Sequence, residues 1–185
     1  IEIFYKNYKD RTLLLLAGDI QPLDEPSCYE FCDQVLDIIE GTQGKKEIIT
    51  LGGIAMDKNQ KDPKVYCTAN GHDIKKKYGN KLMKNGMYGF VGPIVGVSGL
   101  LVGLAGKRKI PAIALLAETC GHPNYLGIRS AREILTVLNE KLRLKLNLNE
   151  LDKEIANIEQ MNINYKRIKK LKKTAISRKD LNYIG

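Results

Sequence analysis

Ile110-Pro-Ala-Ile-Ala-Leu-Leu-Ala117-Glu118-Thr119 decides the fold class. From Ile110 to Ala117 it carries no polar side chain and no alternation, the pattern of a strand buried on both faces. Two other aliphatic runs have the same shape. Leu13–Ala17 passes into Gly18-Asp19-Ile20-Gln21-Pro22, and Ile48-Ile49-Thr50-Leu51 passes into Gly52-Gly53. In a parallel α/β sheet, ligands bind in the crevice outside the carboxyl ends of the strands. The expectation is therefore one rim, a ligand pocket formed by Asp19, Gln21, Gly52, Gly53, Glu118 and Thr119.

Between these runs lie the helical signals. Ile1–Tyr5 alternates and reads as an edge or hairpin strand. Asp24, Pro26 and Ser27 start a helix whose apolar positions Phe31, Val35, Leu36 and Ile39 recur at helical spacing, and Gly41 and Gly44 end it. The Gly52-Gly53 pair is predicted to turn the chain, Val65–Ala69 to form a further strand, and Asp73–Tyr78 a short helix. Ser130-Ala-Arg-Glu133 matches a capping box ahead of a helix carrying Ile134, Leu138 and Leu142. Another helix opens at Asn149.

The stretch Asn85–Gly106 holds no charge, and Gly92, Gly96, Gly99, Gly103 and Gly106 step along one helical face. Small residues on one face let a second backbone approach closely, as membrane helices do. The basic Lys107-Arg-Lys109 and the buried strand after it favour a soluble helix pressed against a sheet. The expectation is thus close packing at Gly92, Gly96, Gly99 and Gly103, with no membrane span.

Charge is concentrated at one end. Residues 161–185 hold eight of the 30 basic residues against Asp180 alone, a net of +7 that leaves only +2 of the formal +9 for the rest. The four cysteines, at 28, 32, 67 and 120, lack zinc-like spacing and read as reduced, mostly buried thiols in a cytosolic protein. Position 1 is not Met, so the natural chain is expected to start upstream.

No motif demands catalysis. Gly92-Pro-Ile-Val-Gly96-Val-Ser98-Gly99 fits neither a dinucleotide fingerprint nor a phosphate loop. Ser98 fails the nucleophile-elbow pattern. Asp19 and Glu118 make an acid/base pair if they converge; otherwise Asp19 caps a turn and Glu118 holds loop amides. No metal site and no cofactor are expected, and no enzymatic activity.

Read in order, Leu-Ala-Gly18-Asp19-Ile-Gln21-Pro22, Ile-Thr-Leu51-Gly52-Gly53, Pro63-Lys64-Val65-Tyr66, Gly92–Gly106, Ala117-Glu118-Thr119 and Leu181-Asn-Tyr183-Ile184-Gly185 resemble the archaeal branch of the proteasome assembly chaperone family. Some of its members are also called ATP-grasp-like proteins of unknown function. The resemblance implies an α/β fold, a Rossmann-like, nucleoside-phosphorylase-like three-layer sandwich with a C-terminal helical extension. On that pattern residues 1–148 form the core, 149–173 a projecting helix and 174–185 a flexible tail.

The resemblance further implies a cytoplasmic homo-oligomer that binds proteasome α subunits or the α ring. Part of that binding falls to a tail comprising Leu181, Tyr183, Ile184 and Gly185. Two features depart from the family pattern: its usual first strand and Gly-rich turn are absent, and Tyr183 stands third from the end rather than second. The competing reading is a nucleotide- or nucleoside-binding enzyme or sensor using the strand-end pocket. Nucleic-acid binding through Lys166–Lys173 is a third, without a recognisable reading module.

Overall fold

The structure is a computed structural model that describes residues 1–58, 60–82, 94–122, 127–158 and 160–161, without the side chains of 79–82. Gly92, the Lys166–Lys173 cluster and the tail residues Leu181, Tyr183, Ile184 and Gly185 lie outside them. The elements run β1 (Glu2–Asn7), β2 (Thr12–Ala17), α1 (Glu25–Gly41), β3 (Ile48–Met56), β4 (Val65–Ala69), α2 (His72–Leu82), α3 (Val97–Lys107), β5 (Ala112–Cys120) and α4 (Ile128–Lys141). This is a mixed α/β fold.

The 110–119 stretch occupies the place its composition demands. β5 is the middle strand of a three-stranded sheet, parallel to β3 and antiparallel to β4. Its side chains alternate across the sheet. Ala112, Ala114 and Leu116 pack against Cys32 and Leu36 of α1 and Leu101, Val102 and Ala105 of α3. Ile113, Leu115 and Ala117 pack against Ile74 and Tyr78 of α2 and Ile134 and Leu138 of α4. With both faces covered, no position has to be polar. Burying each of Ile113 and Leu115 contributes roughly 1.5–3 kcal/mol.

Local signals set the helix ends. Asp24 caps α1, its Oδ1 accepting from the Ser27 N–H at 2.9 Å, with Pro26 in the first turn. Asn70, just after β4, stitches the layers together. Its Nδ2 donates to the carbonyls of Val102 (3.2 Å) and Ile110 (2.9 Å), and its Oδ1 accepts from the Ala112 N–H at 2.9 Å. Fully buried Tyr78 donates its hydroxyl to Glu47, which also pairs with Lys77 at 2.7 Å. Burial first, then this carboxylate, pushes the Tyr78 phenol far above its ordinary range.

Several expectations change. β2 is not a strand buried on both faces: it pairs with β1 alone among the described residues, and Leu14, Leu15 and Leu16 are exposed. Only Leu13 reaches the core. The Gly52-Gly53 pair does not turn the chain, because β3 stays paired with β5 from Ile48 to Met56. β5 likewise runs through Glu118 and Thr119 to Cys120. Ser130 is not a helix cap; α4 starts earlier, with Gly127 at its cap position, and the Ser130 hydroxyl instead donates to the Glu118 carbonyl at 2.6 Å.

The glycine face also divides. Leu101, Val102 and Ala105 are the buried positions of α3, while Gly103 faces open space and Gly106 lies against Asn70. Gly96 precedes the helix at φ +87. Gly99 is tightly enclosed, since a β-carbon there would meet the Ile94 carbonyl oxygen. Among the described residues, no helix is long and apolar enough to cross a membrane. All four cysteines are free thiols, and burial, ahead of neighbouring Cys28 and Asp33, pushes Cys32 up to about 11. Residues 149–158 are helical, with Ile155 buried, and their start is tied to α4 by Arg132 on Asp152 (2.8 Å).

Candidate functional site

The parallel pairing of β3 with β5 brings four of the six expected pocket residues together. Gly53 stands opposite Ala117, and Ile54 opposite Glu118. Both glycines lie in close approach to β5 side chains. A β-carbon on Gly52 would lie 2.9 Å from Leu116 Cδ2, and one on Gly53 would lie 2.7 Å from Thr119 Cγ2. Thr119 is wedged on its other side too, its Oγ1 only 2.7 Å from where a side chain on Gly127 would begin. Thr119 therefore spaces β3 from the start of α4.

Glu118 is buried and already engaged. Its Oε2 accepts from the Lys64 N–H at 3.0 Å and its Oε1 from the Tyr66 hydroxyl at 3.0 Å. Its own N–H donates to the Lys64 carbonyl at 2.9 Å, and its carbonyl accepts from Ser130. The antiparallel register produces this. Tyr66 faces Leu116, so Glu118 is its diagonal neighbour two residues on. Burial first, then the Glu118 hydrogen bond and charge, raises the Tyr66 phenol above its ordinary value. The carboxylate fastens the loop before β4 to the central strand.

The remaining two pocket residues lie elsewhere. The Gln21 amide sits against Gly96, its Oε1 3.3 Å from a β-carbon placed there. Asp19 lines an open hollow of about 340 Å³ with Ile1, Glu2, Ala17 and Gly18 at the end of the β1–β2 ribbon. Glu118 is not among its lining residues. Ser98, at the start of α3, is bound to β3: its hydroxyl donates to the Leu51 carbonyl at 3.4 Å, and its carbonyl accepts from Thr50 at 3.1 Å. Among the described residues, no three His, Cys, Asp or Glu side chains group as metal ligands.

Lys64, Tyr66 and Ser130 are the partners that sequence reasoning did not connect to Glu118. The signal was indirect: Tyr66 sits one residue inside a predicted strand, and only the strand pairing places it beside a carboxylate.

With the geometry in view, the likeness to known proteins is informative. The PAC2 family model matches residues 1–162. The chain belongs to the PAC2 family. Uncharacterized protein MJ1210 of Methanocaldococcus jannaschii is 27% identical, the match covering 98% of this chain and 70% of that protein. Pyrococcus furiosus PbaB, described as an archaeal proteasome activator, is 26% identical with a TM-score of 0.74, covering 89% of this chain and 70% of that one. Pyrococcus furiosus PbaA, described as an archaeal homolog of proteasome-assembly chaperone, shares the fold at 20% identity and a TM-score of 0.72, covering 98% and 73%. In this PAC2 chain Glu118 is engaged by Lys64 and Tyr66, and Gly53 packs against Thr119.

Proposed function

We propose that this PAC2 protein is a chaperone-like factor of the proteasome, binding core-particle α subunits or the assembled α ring as a cytoplasmic homo-oligomer. The observation that carries this reading is the PAC2 match over residues 1–162 together with the likeness to PbaB. The proposed architecture is a Rossmann-like, nucleoside-phosphorylase-like sandwich over residues 1–148, followed by a helix and a C-terminal tail. Helices on both faces of β5 support it.

Part of the binding belongs to the tail. Residues 161–185, with a net charge of +7, steer the chain toward an acidic surface. Tyr183 and Ile184 supply apolar area and a phenol hydroxyl as an anchor. A non-enzymatic role agrees with Glu118, whose two carboxylate oxygens hold Lys64 and Tyr66. The test is co-purification of α subunits from native cell extract with the intact chain and with a chain lacking Leu181–Gly185. Capture by the intact chain and weaker capture by the shortened one is the expected result. Equal capture by both removes the tail from the account, and no capture by either removes the proteasome.

A further inference from the structure

We propose that the edge of the sheet where β3 and β5 begin is a basic docking rim for a carboxylate-rich protein segment. The clue is backbone strain. Among the described residues, three that are not glycine take a left-handed backbone: Lys109 (φ 59), Arg143 (φ 49) and Lys145 (φ 58). All three are basic. A side chain raises the energy of that conformation, and glycine is its usual occupant.

α3 closes with the Lys109 N–H on the Gly106 carbonyl (3.1 Å) and the Ile110 N–H on the Ala105 carbonyl (2.9 Å). α4 closes with the Arg143 N–H on the Glu140 carbonyl (3.3 Å) and the Leu144 N–H on the Asn139 carbonyl (3.1 Å). Both are Schellman ends, and Lys109 and Arg143 hold the position that glycine most often fills. A cation beside a helix C-terminus offsets part of the strain. Lys145 lies past the last turn of α4, where that attraction has faded. Strain kept for charges that the fold itself does not use points to a partner.

The topology gathers these charges on one edge. Ile48 faces Ala112 in the parallel register, and the Ile48 N–H reaches the Pro111 carbonyl at 2.9 Å. Lys45 and Lys46, just before β3, therefore lie beside Lys107 and Lys109, just before β5. α4 returns to the same edge. It starts next to the far end of β5, with Ser130 on the Glu118 carbonyl, and its 14 residues run about 21 Å. That equals about six strand residues, the distance from Glu118 back to Ala112. The Arg11 guanidinium donates to the Leu142 carbonyl at the end of α4, and its charge acts on the Tyr78 phenol, whose hydroxyl donates to Glu47 at the start of β3.

The occupant is protein rather than nucleic acid. Acids stand among these cations: Glu47 follows Lys46, Glu140 precedes Lys141, and Arg108, between Lys107 and Lys109, is held by Asp33, Asp37 and Glu40. A continuous phosphate backbone would run against those carboxylates, whereas separate carboxylates on a protein match separate cations. The segments outside the described residues hold two acids, Glu159 and Asp180, against nine basic residues, so they do not neutralise the rim. This inference rests on the folded body and stands apart from the tail and from the proteasomal reading.

Amide NMR spectra of the full chain, titrated with a poly-glutamate peptide and separately with a random-sequence DNA duplex, test it. The peptide is expected to shift the amides of Lys45, Lys46, Lys109, Arg143 and Lys145 with a single dissociation constant. The combined variant Lys109→Gly, Arg143→Gly, Lys145→Gly removes three cations and gives each left-handed position the residue it favours. It is expected to melt no lower than the parent, yet to bind the peptide about tenfold more weakly, read at the Lys45 and Lys46 amides. A purely structural role for the three side chains would instead lower the melting temperature. Rim amides that the peptide leaves unmoved, a variant that melts below the parent or binds as tightly, or DNA that occupies the rim more tightly than the peptide overturns the inference.

Discussion

Replacing Glu118 by Leu separates a structural carboxylate from a chemical one. The substitution keeps the bulk but leaves the Lys64 N–H and the Tyr66 hydroxyl without their acceptor. A hydrogen bond to a charged group contributes about 1.5–3 kcal/mol. Two of them, less the gain from burying an aliphatic side chain, leave a loss of about 2–4 kcal/mol. For a chain of 185 residues, where 1 kcal/mol moves the midpoint by about 2–4 °C, Tm falls by roughly 4–16 °C. Glu118→Gln is milder, because its carbonyl oxygen still accepts from Lys64 and the Tyr66 hydroxyl rotates to accept from the amide; about 1 kcal/mol is expected. Differential scanning calorimetry of parent, Glu118→Leu, Glu118→Gln and Tyr66→Phe orders them: parent, Gln and Phe close together, then Leu. A Glu118→Leu protein that melts within a degree of the parent refutes the fastening role.

Other substitutions follow the same geometry. Gly99→Val drives a side chain into the Ile94 carbonyl and is expected to cost roughly 1–3 kcal/mol, whereas Gly103→Ala, facing open space, is expected to gain up to about 1 kcal/mol; urea titration compares the two. Asn70→Ala removes three bonds to backbone groups of α3, β5 and the Ile110 between them and is expected to lower stability by about 1–3 kcal/mol. Asp24 and Asp152 sit below their ordinary carboxylate range, Asp24 through the Ser27 N–H and Asp152 through Arg132. Their contribution is therefore present above about pH 4 and is lost as pH falls through their folded-state values. Melting across pH 2–6 is expected to show a shallower acid limb in Asp152→Asn than in the parent.

The sheet was legible where burial alone dictates composition. The unbroken apolar run at Ile110–Ala117 reads as a covered strand, and β5 is that strand. The same argument misplaced Leu13–Ala17, since an aliphatic run shows that a strand wants cover without showing that it has any. Gly52-Gly53 read as a turn because local glycine signals carry no information about the strand alongside; the Leu116 and Thr119 side chains explain both residues. Part of the site was accessible in the same limited sense. Gly52, Gly53, Glu118 and Thr119 were marked by strand ends and share one strand pair. Tyr66 and Ser130 depend on register and on the exact start of α4, which periodicity fixes only to within a residue or two.

The central claim is binding to the proteasome, and direct titration tests it most plainly. Purified, assembled α ring is titrated with the intact chain and with a chain lacking Leu181–Gly185, followed by biolayer interferometry at low and raised salt. The expected result is saturable binding by the intact chain, weaker binding without the tail, and an on-rate that falls as salt rises, because a basic segment steers the encounter. No saturable binding of the intact chain to the α ring at either salt concentration, nor to the isolated α subunit titrated in parallel, would contradict the claim.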